Sequence, residues 1–178
     1  MRPLAGADRI RALVSALGRE ASEPTAVYLT GGATAVLLGW RETTVDVDLR
    51  FEPERDALLR AVARLKDELR INVELASPAD FIPVPEGVEG RAVYSSTEGR
   101  LTVYHYDLYS QALAKVERGH DRDLADVAAM IRAGLVDPAL ALRYLTEIEP
   151  QLYRFPAIDP AEFRRRAEQA FGGGEVGR

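Results

Sequence analysis

Residues 26–50, AVYLTGGATAVLLGWRETTVDVDLR, constrain the fold more than any other part of the chain. Ala26 to Thr30 is an apolar run of strand length. Gly31-Gly32 breaks it with a tight turn. Ala33 to Leu38 then has the small residues of a short, closely packed helix. From Thr44 to Phe51 the pattern alternates, which predicts a second strand. Val45, Val47 and Leu49 fall on one face, and Thr44, Asp46, Asp48 and Arg50 on the other. Two carboxylates therefore share one strand face, roughly 7 Å apart along the chain.

The flanking sequence predicts a small sheet covered by helices. Ile10, Leu13, Val14 and Leu17 give an amphipathic helix over 8–19, broken at Ser22-Glu23-Pro24. Pro53 opens a helix to about Leu69, with Leu58, Val62, Leu65 and Leu69 inward. Ile71 to Leu75 is a third strand, with Asn72 and Glu74 on the face opposite Ile71, Val73 and Leu75. Residues 77–90, rich in Pro and Gly, form a loop. Arg91–Tyr94 and Leu101–Tyr106 form a hairpin around Glu98-Gly99. Beyond it the periodicity is helical. Asp107 caps a helix ending at Gly119, and Leu124, Val127, Ala128 and Ile131 mark the next, closed at Gly134. Asp137-Pro138 and Asp159-Pro160 each pair an N-cap with a first-turn proline. The expected class is α/β (α+β), a small mixed sheet flanked by helices over 1–106. A helical C-terminal part over 107–171 packs on it, and a disordered tail occupies 172–178.

Composition narrows the chemistry. A net charge of −5 and a pI near 5.2 argue against nucleic-acid binding through bulk basic charge. With no cysteine and only His105 and His120, the chain has neither thiol chemistry nor a histidine-rich metal site. A bound metal would need oxygen ligands, which favours Mg²⁺ or Mn²⁺. Asp46 and Asp48 are the candidate ligands, with Glu74 completing the set from a neighbouring strand. The Gly-Gly turn can present backbone N–H groups to phosphates. Taken singly, the acids also fit a solvated strand face and the glycines an ordinary turn. No apolar run has the roughly 20 residues of a membrane span, and the start is no signal peptide; a cytoplasmic protein is expected. Lys66 and Lys115 are the only lysines, which singles out Lys115 among the arginines.

The order strand, Gly-Gly, helix, strand, Asp-x-Asp resembles the nucleotidyltransferase superfamily. That resemblance implies a divalent metal on Asp46 and Asp48, with Glu74 as third acid and Asp107 in reserve. It places phosphates on Thr30, Gly31 and Gly32, and Arg41 and Thr43 against the nucleotide. The segment DLYSQALAKVERGHDRDLADVAAMI is similar to the helical part of an uncharacterised branch related to toxin–antitoxin and abortive-infection nucleotidyltransferases. Lys115, Arg118, Arg122-Asp123 and Asp126 match that branch. There the lysine is held to face the phosphates and an acid to fix it or to assist the acceptor; an ordinary ion pair between helices is the plain alternative. The implied activity moves a nucleotidyl group from an NTP to a hydroxyl of RNA or protein, as in a toxin with an antitoxin partner. A module that binds a nucleotide or a partner without transfer is the competing reading, and a purely structural protein docking through its helices is the third. The apolar helical end can pair with a second copy.

Overall fold

The computed structural model describes residues 1–173. They divide into two compact units. Met1–Ser77 and Ala92–Tyr106 form the first, and Pro78–Arg91 together with the chain from Asp107 form the second. Pro78–Arg91, expected in the sheet-bearing part, thus belongs with the helices.

The first unit is a mixed sheet with helices on one face. Its elements are α1 (Ala7–Glu20), β1 (Thr25–Thr30), α2 (Gly31–Leu38), β2 (Asp46–Glu52), α3 (Asp56–Glu68), β3 (Asn72–Leu75), β4 (Val93–Glu98) and β5 (Leu101–His105). The strand order is β3-β2-β1-β5-β4. β1 runs antiparallel to β2 and parallel to β5; β3 is parallel to β2, and β4 antiparallel to β5. Leu29 of β1 stands between Leu49 of β2 and His105 of β5. In-register neighbours share a face, so Val27, Leu29, Val47, Leu49, Leu101 and Val103 make one buried apolar surface. Ile10, Leu13, Val14 and Leu17 of α1 and Leu58, Val62 and Leu65 of α3 complete that core. These are the periodic positions expected of both helices.

Two local expectations are overturned. The helix expected from Pro53 starts at Asp56, and Glu52-Pro53 is a cis peptide in the bend before it. Arg55 takes the N-cap position, where its guanidinium reaches Thr25 Oγ1 at 3.0 Å and Pro24 O at 3.2 Å. Those tertiary bonds fix the helix start, so the local proline signal does not. The strand expected from Thr44 begins at Asp46, because Thr44 pairs instead with Ala5 in an isolated bridge. Val45 is consequently exposed and Thr44 buried, the reverse of the alternation.

Gly31 and Gly32 join β1 to α2. Gly31 has φ +59, a left-handed value that suits glycine. A Cβ on Gly32 would collide with the Thr44 hydroxyl, which itself donates to Asp46 O at 2.9 Å. Gly32→Ala is therefore expected to cost about 1–3 kcal/mol through overpacking. Calorimetry would show this as a melting point lower by about 2–12 °C. An unchanged Tm would remove the close-approach argument.

The second unit contains α4 (Leu108–Arg118), α5 (Asp121–Arg132), α6 (Pro138–Ile148) and α7 (Pro160–Phe171). Asp137 and Asp159 cap α6 and α7 through Leu140 N and Glu162 N, each followed by proline. Asp107 caps α4, accepting from Tyr109 N and Ser110 N. Two 3₁₀ turns, Pro78–Asp80 and Glu89–Arg91, structure the expected loop, and a third covers Glu149–Arg154 in the connector. On α5 the buried face is Asp123, Asp126, Val127 and Met130, while Leu124 is exposed. No helix among the described residues is long and apolar enough to cross a membrane. The tail expected from 172 lies, from residue 174 on, outside the described residues.

Candidate functional site

Sheet register assembles an acidic row on the face opposite the apolar core. Asp48 stands opposite Thr30 of β1 on one side and Glu74 of β3 on the other. Asp46 stands opposite Asn72. Asp46, Asp48 and Glu74 thus share a face, with the two aspartates half-buried and Glu74 exposed. The hinge between β1 and α2 abuts this row: a Cβ on Gly31 would lie 2.8 Å from Asp48 Oδ2. Backbone therefore approaches the carboxylate as closely as it can, and the first turn of α2 opens beside it. The N-terminal N–H groups of a helix carry partial positive charge. An arrangement of acid beside helix start suits a cation and an anion together. Arg41 is half-buried and Thr43 exposed on the approach to β2.

The donor set decides what a metal could use. Among the described residues, no group of three or more His, Cys, Asp or Glu converges enough to enclose an ion. Two carboxylates on one strand face fit a hard cation that takes its remaining oxygens from water and phosphate, as Mg²⁺ does.

Within the helical unit, Lys115 lies in a buried charge cluster. It is 5% exposed, and its ammonium donates to Asp126 Oδ2 at 2.7 Å, with Asp123 Oδ1 at 3.8 Å. Arg118 holds Asp123 with two bonds, from Nε at 2.7 Å and from a terminal nitrogen at 2.5 Å. Burial disfavours ionisation of Asp123, but the Arg118 bond and the charges of Arg118 and Lys115 outweigh it, so its carboxyl lies below its ordinary value. The cluster clamps α4 to α5. It also explains the face of α5: two aspartates turn inward to neutralise a buried lysine, and Leu124 turns out. Asp107, the reserve acid, is occupied by its cap, by Ser110 Oγ at 2.6 Å and by Arg91 at 3.1 Å.

His105 is a polar residue whose partner the sequence gives no means of finding. It is 2% exposed on the core face of β5, and its Nδ1 lies 3.0 Å from Thr34 Oγ1 of α2. The tyrosines separate into two groups. Tyr28 and Tyr104 stack at 5.4 Å with Tyr94 edge-on to Tyr104, whereas Tyr109 meets Tyr144 in the helical unit.

Burial pushes the His105 imidazole down to about 4, from an ordinary 6.5. With the folded value below the unfolded one, the stability it contributes is complete above pH 6.5. It is lost as pH falls towards 4, by about 3 kcal/mol in all. The difference between urea-denaturation profiles of the native chain and His105→Gln is expected to slope across pH 6.5 to 4 and level out below. Parallel profiles would remove this role.

A family model described as a nucleotidyltransferase of unknown function (DUF6036) matches residues 8–154. No curated protein and no solved structure matches the chain.

Proposed function

The chain belongs to this family of nucleotidyltransferases of unknown function, and from that premise we propose that it moves a nucleotidyl group from an NTP to a hydroxyl of RNA or of a protein. The observation that carries the reading is the acidic row set against the Gly31-Gly32 start of α2. Asp46 and Asp48 would hold Mg²⁺ or Mn²⁺, with Glu74 as a further acid on the same row. Such an ion supplies charge neutralisation at the phosphates and orientation of the reacting oxygens. Thr30, Gly31 and Gly32 would cradle the phosphates through backbone N–H groups. The acceptor oxygen bonds to the α-phosphorus, the bond to the bridging oxygen of the β-phosphate breaks, and pyrophosphate leaves. The acceptor proton passes to solvent. Lys115 would serve as the buried cation that clamps the helical unit, with Arg118 and Asp123 in the same cluster.

The lack of a converging third acid among the described residues favours one other reading, a module that binds a nucleotide without transferring it. A toxin role, with an antitoxin as partner, belongs to the first reading and would appear as growth arrest on expression that Asp48→Ala relieves. The deciding experiment incubates the chain with Mg²⁺, labelled NTPs and either RNA or lysate protein, beside Asp48→Ala. Label transferred only by the native chain supports the enzyme. Nucleotide binding with no transfer supports the module, and the absence of both binding and transfer would discard both readings.

A further inference from the structure

Asp46 stands at a junction of the fold. The ladder between β1 and β2 ends with the pair Thr30 and Asp48, because β1 turns there into α2. Asp46 therefore lies beyond the last β1 partner. Its carbonyl oxygen accepts from the Thr44 hydroxyl at 2.9 Å. Thr44 is 6% exposed, and its own backbone is held by Ala5: Ala5 N donates to Thr44 O at 2.8 Å, and Thr44 N to Ala5 O at 2.9 Å.

The same side chain abuts the turn between β1 and α2. A Cβ built on Gly32 would lie 1.9 Å from Thr44 Oγ1 and 2.6 Å from Thr44 Cβ. Only glycine lets the start of α2 come down onto Thr44 so closely. One buried side chain thus limits the approach of Gly32 and, through its hydroxyl, tethers the backbone of Asp46.

We propose that Thr44 is a positioning residue for the nucleotide site. It fixes the Asp46 carboxylate at a set distance from the N–H groups of the Gly31-Gly32 turn, so that one divalent ion can meet both that carboxylate and a phosphate seated on the turn. This role rests on the reading of that sheet face as a metal–nucleotide site. Mg²⁺ demands near-ideal octahedral geometry at about 2.0–2.1 Å, so an ion shared by carboxylate and phosphate is sensitive to their separation. A misplacement of about 1 Å can cost about a hundredfold. With the tether released, each partner can still bind alone, but the two no longer fit one ion. The signature of positioning is therefore the coupling by which metal tightens nucleotide binding. A residue that only packs the fold would change stability and leave that coupling alone.

The test measures the coupling in the full chain. Equilibrium dialysis follows the four labelled α,β-methylene NTPs, which cannot transfer, in EDTA and in Mn²⁺. Mn²⁺ should tighten binding of at least one of them to the native chain. Thr44→Val keeps the side-chain shape and removes the hydroxyl. It should weaken that binding about tenfold in Mn²⁺ and leave binding in EDTA as in the native chain. Thr44→Ser restores the hydroxyl and should stay within about threefold of native. Melting curves establish that each variant is folded; if Thr44→Val is not, Thr44→Ala, which adds no bulk against Gly32, carries the same comparison. A native chain whose nucleotide affinity Mn²⁺ does not raise overturns both the nucleotide site and the role of Thr44. Native coupling that the folded hydroxyl-less variant retains, or that Thr44→Ser loses as fully, overturns the role of Thr44 alone.

Discussion

Asp48→Asn is expected to lower nucleotidyl transfer by about a hundred- to a thousandfold while leaving the melting temperature unchanged. The substitution keeps the side-chain shape against Gly31 and removes the charge. A carboxylate that holds a divalent ion supports several kcal/mol of charge stabilisation on the reacting phosphates, and each 1.36 kcal/mol is tenfold in rate. Asp46→Asn should behave alike, since both aspartates are half-buried on the same strand face. Glu74→Gln should cost no more than about tenfold, because its side chain is exposed at the rim of the row. Initial rates with labelled NTP, taken beside calorimetry, give this ranking. Equal rates for native and Asp48→Asn protein would dissociate the acidic row from the activity. If Glu74→Gln proved the most damaging, the centre of the site would move to β3.

Lys115→Met should destabilise the protein by about 3–5 kcal/mol, because it leaves Asp126 buried with its cation removed. At this chain length the fall in Tm would be about 6–20 °C. The double variant Lys115→Met/Asp126→Leu should recover much of that loss, since replacing both members of a buried pair with apolar residues is often neutral. Chemical denaturation of the single and double variants measures the coupling. A phosphate-binding lysine would behave differently: Lys115→Met would keep its stability and lose transfer, and the double variant would recover nothing. That outcome would reject the clamp.

The opening stretch was legible because strand parity is a local property. Asp46, Asp48 and Glu74 could be placed on one face from period-2 alternation, and register brings them into one row. Asp107, Asp137 and Asp159 were readable as caps for the same local reason. The misreadings occur where distant residues decide. Thr44 turns inward because Ala5, far earlier in the chain, bridges to it. The start of α3 is set by Arg55 bonding to the residues before β1. On α5, apolar periodicity marks the helix without giving its inner face, which the buried Lys115 sets by drawing Asp123 and Asp126 inward while Leu124 is exposed. His105 had no visible partner because Thr34 lies 71 residues away. Nor does the sequence announce the bulge at Ser95, since it depends on the pairing of β4 with β5.

The division of the chain also bears on how such a protein can be cut or inherited. The backbone passes from one unit to the other after Ser77, returns after Arg91, and passes again after Tyr106. The excursion Pro78–Arg91 is tied to the later helices by Arg91 on Asp107, by the Arg91 guanidinium 4.5 Å over the Tyr144 ring, and by Glu86 N on Glu147. No single break yields two intact pieces. A truncation after Tyr106 would strip that excursion of its anchors, and a fusion of residues 107–173 to another protein would lack it altogether. Exchange of the helical part between relatives would therefore require a second, internal graft, which favours inheritance of both units as one gene segment.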